Sequence, residues 1–199
     1  MLQIFHAPRT RSHRLVWLCE EMAVPYALTV ETFGAPSAEF LAVSPFGTFP
    51  AIRDGDRTML ESIAIMLYIM GTHGPTDLAV PPGDADYGAY LEFLIFGEAG
   101  TAMWANPIMA TKFYGPDDQK SNWTTKFCAA TFFKRLGYAA TKLGDGPYLL
   151  GDRFTAADIS VGYTVGIARW LGADLPSALL AYHDRVQARP AHQRAAARS

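Results

Sequence analysis

The chain has 199 residues, 50% of them hydrophobic, with 17 Lys and Arg against 19 Asp and Glu and a formal net charge of -2. That is enough to bury a substantial core or to divide into two modest domains, and so even a charge balance gives no general attraction to nucleic acid or to a membrane surface. The longest apolar run, residues 63–70, falls far short of the roughly 20 residues of a membrane span, and the charged start and cleavage site of a secretory leader are missing, so a soluble cytoplasmic protein is expected.

Leu2 to Phe5 reads as a strand. A loop rich in cations and hydroxyls follows, then a helix from about Ser12 to Ala23, in which Leu15, Leu18, Cys19 and Met22 recur at three and four residues. Tyr26 to Val30 is a second strand and Ala38 to Val43 a short helix; strands at Ala51–Arg53 and Thr58–Leu60 flank the turn Asp54-Gly55-Asp56. The helix after Glu61 is apolar on nearly every side from Ile63 to Met70 and must be covered twice. Strand, helix, strand, helix, strand, strand, helix is the βαβαββα order of a thioredoxin-like domain, placed at residues 1–74.

Residues 75–84, with Pro75, Pro81, Pro82 and Gly83, form a linker. Residues 85–199 are predicted to be all-helical. One long helix from Ala85 to about Phe113 is kinked where Gly97, Gly100 and Pro107 interrupt its apolar pattern. A second runs from about Asp117 to Leu143. After Gly144-Asp145-Gly146-Pro147, Thr155 caps a helix while Asp158 returns the bond, with Phe154 and Ile159 as a hydrophobic staple. This spacing explains Asp158 without chemistry. The basic run from Arg185 to Arg198 reads as the solvated face of a last helix.

Cys19 and Cys128 are far apart and neither lies in a C-x-x-C pair, which disfavours a disulfide framework and a dithiol oxidoreductase. Any sulfur chemistry must use a borrowed thiol. The five histidines lack the spacing of a metal site and read as surface or capping residues, so no metal is expected.

The most informative stretch runs from Phe46 to Ile52 and resumes from Thr58 to Ile63. Proline has no N–H to donate, so Pro50 at the head of an apolar strand implies a bend that a cis bond would suit. The Phe49 main chain is then free to pair with an extended peptide by strand addition. Where a strand hands over to a helix, orphan N–H groups and the helix dipole suit a carboxylate at Ser62, and Glu61 can hold an ammonium beside it. The two charged ends of an amino acid would be read together.

This arrangement resembles the glutathione transferase family, over nearly the whole chain. The resemblance implies that Phe49 and Pro50 meet the cysteinyl part of glutathione, that Glu61 and Ser62 grip its γ-glutamyl end, and that glutathione is a co-substrate. It also implies a homodimer, with Phe46 projecting into the neighbour's helical domain. The reacting group is expected in the loop His6–Arg14. A thiol near pKa 8.5 is mostly protonated at neutral pH, and a hydroxyl, a helix N-terminus and a cation each favour the thiolate. Aligning Arg14-Leu15 with the basic-aliphatic pair of serine-type transferases puts Thr10 at the position of their serine, with Arg11 as the nearby cation. Ser12 is the other candidate, and simple N-capping is its plain alternative; for Thr10 the alternative is a loop hydroxyl, with the sulfur held by backbone N–H groups. The loop has no Tyr or Cys, which disfavours the tyrosine-type mechanism and mixed-disulfide thiol transferases. Thr48 stands where many relatives carry a Lys near the glycine carboxylate, leaving Arg9 or Arg11 to substitute.

The same resemblance places a second substrate between the first loop and the long helix, where Met103, Trp104 and Phe113 offer apolar surface; at helical spacing these residues equally form core. The function implied is conjugation of the glutathione thiolate to small hydrophobic electrophiles. The alternatives are glutathione-dependent reduction of disulfides or peroxides, and a non-catalytic binding protein of the same fold.

Overall fold

A computed structural model describes residues 1–198. The chain divides into two units, Met1–Ala79 together with the residues from Gln187 onward, and Val80–Val186.

The first unit follows the predicted order: β1 (Leu2–His6), α1 (His13–Met22), β2 (Tyr26–Val30), α2 (Ala38–Val43), β3 (Ala51–Asp54), β4 (Arg57–Leu60) and α3 (Ser62–His73). The sheet order is β2-β1-β3-β4. β1 runs parallel to β2, with Leu2 opposite Tyr26, and antiparallel to β3, with Ile4 opposite Ile52. A parallel neighbour needs a crossover, which α1 provides, whereas β3 and β4 are joined by a tight turn in which Gly55 takes φ +58°. Ile4, Phe5, Leu15, Leu18, Ile52, Ile65, Met66 and Ile69 are buried. α3 is not covered all round as its sequence leads one to expect, because Leu67 remains 44% exposed.

The second unit holds α4 (Tyr87–Ile95), α5 (Met103–Tyr114), α6 (Trp123–Leu143), α7 (Ala156–Trp170) and α8 (Ser177–Gln187). The predicted interruption of the long helix takes the form of π-helical turns from Phe96 to Ala102 between α4 and α5. A Cβ on Gly97 would overlap Ser160 of α7, so only glycine allows the two helices to come this close. The looser turns are held by side chains: Ser160 Oγ donates to Leu94 O at 2.8 Å, and Thr101 Oγ1 donates to Gly97 O at 3.0 Å. Pro107 lies within α5 without ending it. The next helix starts at Trp123 and not at Asp117, because a short 3-10 turn at Asp117–Gln119 follows Pro116 and Asn122 then caps α6 by accepting from Thr125 N at 2.9 Å. Among the described residues no helix is long and apolar enough to cross a membrane.

The chain closes with α9 (Pro190–Ala197), which packs on α1. The basic tail is solvent-exposed as expected, with Arg194 and Arg198 more than half exposed, but several of its cations are paired with acids of α1. Arg189 forks onto Glu21 at 2.6 and 2.8 Å, Arg194 reaches Glu20 at 2.8 Å, and Arg198 lies 3.0 Å from the same carboxylate. Periodicity places cations on a helix but does not say which acids face them.

Thr155 and Asp158 form the predicted capping box at the head of α7. One Asp158 oxygen accepts from Thr155 N at 2.9 Å, and the other accepts from Leu149 N at 3.0 Å and from the Tyr182 hydroxyl at 3.1 Å. Burial lifts the Asp158 pKa from 3.8 to about 6, against the downward pull of the Leu149 and Thr155 N–H groups. The folded state thus holds this proton more tightly than the unfolded chain does. The stability linked to it is whole below pH 3.8 and is lost as pH rises through about 6. Asp158→Asn is expected to destabilise the protein by about 2 kcal/mol at pH 7.5, since an amide cannot accept at both positions. The same substitution should remove this part of the pH dependence, as read by urea unfolding at pH 4.5 and 7.5.

Candidate functional site

β1 ends inside the core at His6, which is fully buried, and the chain turns sharply to reach α1. The turn is tied to Ala7. Its carbonyl accepts from Thr10 N at 3.2 Å and from Thr10 Oγ1 at 2.8 Å, and its N–H donates to Ser12 Oγ at 3.2 Å. Ser12 Oγ lies 2.7 Å from Thr10 Oγ1 and 2.8 Å from His6 Nδ1. Ser12 is not a side-chain cap. Its own φ and ψ, -63° and -23°, are already helical and its hydroxyl makes no cap bond, because His6, Ala7 and Thr10 occupy it. The bland view of the histidines also fails at His6. Burial lowers its pKa to about 4, so the imidazole is neutral at pH 7. Thr10 and Arg11 are half-buried in the same loop.

The second part of the site lies ahead of β3. The Phe49–Pro50 bond is cis, and among the described residues the Phe49 main chain makes no hydrogen bond. The Phe49 ring stacks on Phe40 at 4.3 Å, over the cluster of Phe5, Val43 and Ala51. Ser44, fully buried, holds the approach to Phe49: its hydroxyl donates to Thr48 O at 2.9 Å and accepts from Thr48 N at 3.1 Å. Nothing in the sequence marked Ser44, because its task depends on the path of the loop around it.

Glu61 and Ser62 form the third part. Ser62 opens α3 and is buried, while Glu61 is exposed and sits at φ +71°, ψ +106°, a conformation unusual for a residue with a Cβ. Behind them lies Arg14. This fully buried arginine on α1 donates from its guanidinium to Ser62 Oγ at 3.1 Å. The sequence used Arg14 only to align the first loop, yet a cation within the buried run Leu15 to Cys19 is itself a signal, since arginine is almost never fully buried unless paired.

The residues expected to meet a second substrate are not gathered on one face. Met103 is 50% exposed in the first turn of α5, and beside it Trp104 is half-buried against Phe127 of α6, with the Arg135 guanidinium 5.5 Å from its ring centre. Phe113, in the last turn, stacks instead on Trp170 at the end of α7 with centroids 5.3 Å apart. Trp104 and Phe113 are half a helical rotation out of phase.

Family models described as the N-terminal and C-terminal domains of glutathione S-transferase match residues 10–70 and 103–193. The chain belongs to the glutathione transferase family. It is 26% identical over 181 residues to glutathione S-transferase 3 of Schizosaccharomyces pombe, spanning 85% of this chain and 75% of that protein. Among solved structures it resembles a glutathione transferase from Methylococcus capsulatus, at 26% identity with a TM-score of 0.86, over 100% of this chain and 98% of that one. A theta class glutathione S-transferase of Xanthomonas axonopodis pv. citri, solved with glutathione bound, shares the fold at 22% identity and a TM-score of 0.81, over 98% of this chain and 96% of that one.

In this glutathione transferase the strained backbone of Glu61 turns the chain from β4 into α3 just where the carboxylate and the helix N-terminus come together. Strain of this kind costs of the order of 1–3 kcal/mol and concentrates at functional positions. Glu61→Gly is therefore expected to raise the unfolding free energy by about 1 kcal/mol while weakening glutathione binding at least tenfold. Denaturant unfolding and calorimetry with glutathione check the two effects separately.

Proposed function

We propose that the protein binds glutathione across Phe49, Glu61 and Ser62 and conjugates its sulfur to a small hydrophobic electrophile. The observation that carries this reading is the convergence of three unlike groups at the head of α3: the exposed Glu61 carboxylate, the buried Ser62 at a helix N-terminus, and the Arg14 guanidinium 3.1 Å behind it. Such a site takes a zwitterion. The γ-glutamyl carboxylate meets the N–H groups and the positive end of α3, with Arg14 adding charge from below, and the ammonium meets Glu61. The Phe49 main chain then pairs with the cysteinyl backbone, and the sulfur reaches Thr10 beside the N-terminus of α1.

The work left to the protein is orientation plus stabilisation of the thiolate. Each unit by which the thiol pKa falls corresponds to about 1.4 kcal/mol of preference for the anion, so a hydroxyl and a helix terminus together suffice. Thr10 supplies the hydroxyl by turning its proton from Ala7 O to the sulfur. The exposed side chains of Met103 and Phe113 provide apolar surface for an electrophile in the helical unit. Buried free thiols at Cys19 and Cys128 agree with a cytoplasmic setting.

Thr10→Val keeps the shape and removes the donor. Bound glutathione should then show a higher thiol pKa in thiolate-absorbance titration, with affinity little changed and kcat/KM at pH 7 lower by about ten- to a hundredfold, partly recovered at high pH. An unchanged thiol pKa would rule out Thr10 as the donor. Products from a panel of electrophiles, disulfides and peroxides distinguish conjugation from reduction, and binding without turnover across the panel would make the protein a glutathione-binding module.

We further propose a symmetric homodimer, supported by Phe46, a large apolar residue that is 81% exposed. Sedimentation at micromolar concentration should give twice the chain mass, and Phe46→Ser should shift the population to monomer; a monomeric parent protein would end this reading.

A further inference from the structure

We propose that His6 is a positioning residue for the transfer reaction, acting through a directed hydrogen-bond chain in which its Nδ1–H donates to Ser12 Oγ and the Ser12 hydroxyl donates to Thr10 Oγ1, so that the Thr10 proton is left to face the glutathione sulfur. The proposal rests on the reading of Thr10 as the thiolate's donor. It adds two residues that touch neither substrate and that nonetheless decide which way the Thr10 hydroxyl points.

The argument is one of counting. A serine hydroxyl has one proton to give and two lone pairs to accept with. Ser12 Oγ has four polar neighbours, namely Ala7 N at 3.2 Å, Ala7 O at 3.3 Å, Thr10 Oγ1 at 2.7 Å and His6 Nδ1 at 2.8 Å. The Ala7 N–H can only donate, so one lone pair is taken. What happens at the other three depends on where the neutral imidazole keeps its single proton.

If that proton is on Nε2, Ser12 must donate to Nδ1, and Thr10 must then point its own proton inward to Ser12. An N–H donor would also be stranded, because Nε2 is buried and has no hydrogen-bond partner among the described residues. If the proton is on Nδ1, His6 fills the second lone pair of Ser12, and the serine proton goes to Thr10 Oγ1 at 2.7 Å in preference to the more distant Ala7 O. Only a bare ring nitrogen is then left unpaired. Orphaned buried N–H groups are rarer and costlier than under-used acceptors, so the second arrangement prevails. Burial keeps the imidazole neutral at working pH, which maintains the single ring proton.

In this arrangement Thr10 accepts from Ser12 and has its proton free to move between Ala7 O, 2.8 Å away, and a bound sulfur. Hydrogen bonds in a chain polarise one another, so a hydroxyl that accepts from Ser12 is a better donor to a thiolate than an isolated one. The serine is thus an inner link and the histidine the anchor that sets the direction.

Two measurements on the full chain test this. Long-range 1H–15N spectra of the labelled protein should show a protonated-type Nδ1 and an unprotonated-type Nε2 for His6; the reverse pattern overturns the proposal outright. For the second, the thiol pKa of bound glutathione and kcat/KM are compared for His6→Leu, His6→Asn, Ser12→Ala and Thr10→Val. His6→Leu and Ser12→Ala should each raise the thiol pKa, by less than Thr10→Val does, and lower kcat/KM at pH 7 by about three- to tenfold with glutathione affinity within about twofold of the parent. Asparagine carries an N–H close to the place of Nδ1, so His6→Asn should restore most of the loss, which a merely structural role for the ring would not predict. The double variant His6→Leu/Ser12→Ala should be no worse than the poorer single one, because both cut one chain. If His6→Leu does not fold, the contrast between His6→Asn and Ser12→Ala decides: a normal thiol pKa in the first and a raised one in the second supports the chain, and equal values overturn it. A shift in Thr10→Val alone would refute the role of His6 while leaving Thr10 as the donor. No shift in any variant would mean that Thr10 itself had been misassigned.

Discussion

A chain that leaves a buried strand and turns at once into a helix has to satisfy its polar groups within a few residues, and here the peptide group of Ala7 is where that is done. Its carbonyl takes the Thr10 amide and hydroxyl, and its N–H is given to Ser12. Helix α1 can begin at His13 only because this turn is closed, and the buried face of α1, Arg14 to Cys19, is oriented by where it begins. The hydroxyls that look like catalytic groups are first of all the bonds that close the turn. In the proposed glutathione complex the sulfur would compete with Ala7 for the proton of Thr10, which an anion does far better than a neutral thiol. A loop built this way would favour the proposed thiolate without having to hold a donor unpaired in its absence.

Arg14 extends the same logic to the other end of the ligand. A buried guanidinium is costly to desolvate, and the bond from Arg14 to Ser62 Oγ at 3.1 Å offsets part of that cost. By standing behind Ser62 it links the start of α3 to α1, so the two helix N-termini that serve the proposed glutathione site are braced against each other within one unit. The exposed Glu61 needs no such bracing, but its backbone is held in a conformation that a residue with a Cβ rarely takes. Stability is given up at the one residue to which the proposed recognition of the ligand ammonium falls.

What the sequence disclosed follows the range of the interactions involved. The βαβαββα order, the Asp-Gly turn and the Thr155–Asp158 cap were legible because each depends on spacings of a few residues. The cis bond at Phe49–Pro50 and the handover from strand to helix at Glu61–Ser62 were legible for the same reason. His6, Ser44 and Arg14 were not read as site residues, since each acts through a partner that a loop or another helix brings to it. Gly97 and Gly100 were taken as a kink; that Gly97 allows π-helical turns to pack against Ser160 is a fact about the neighbouring helix, which no pattern within residues 85–113 contains. The start of α6 was misplaced by a few residues because Asp117 and Asn122 are both good caps, and the preceding 3-10 turn chose between them.

The clasp between α1 and α9 sets an order on biosynthesis. Its ion pairs join residues 168 and 174 positions apart, with the whole of the helical unit lying between them in sequence. On a ribosome that emits a few to a few tens of residues each second, the sheet unit is made first, yet Glu20 and Glu21 have no guanidinium to meet until translation has passed Arg189 and Arg194. For several seconds the apolar flank of α1 beside Trp17 is without the helix that covers it. The unit that holds the proposed glutathione site is thus begun before the helical unit and finished after it.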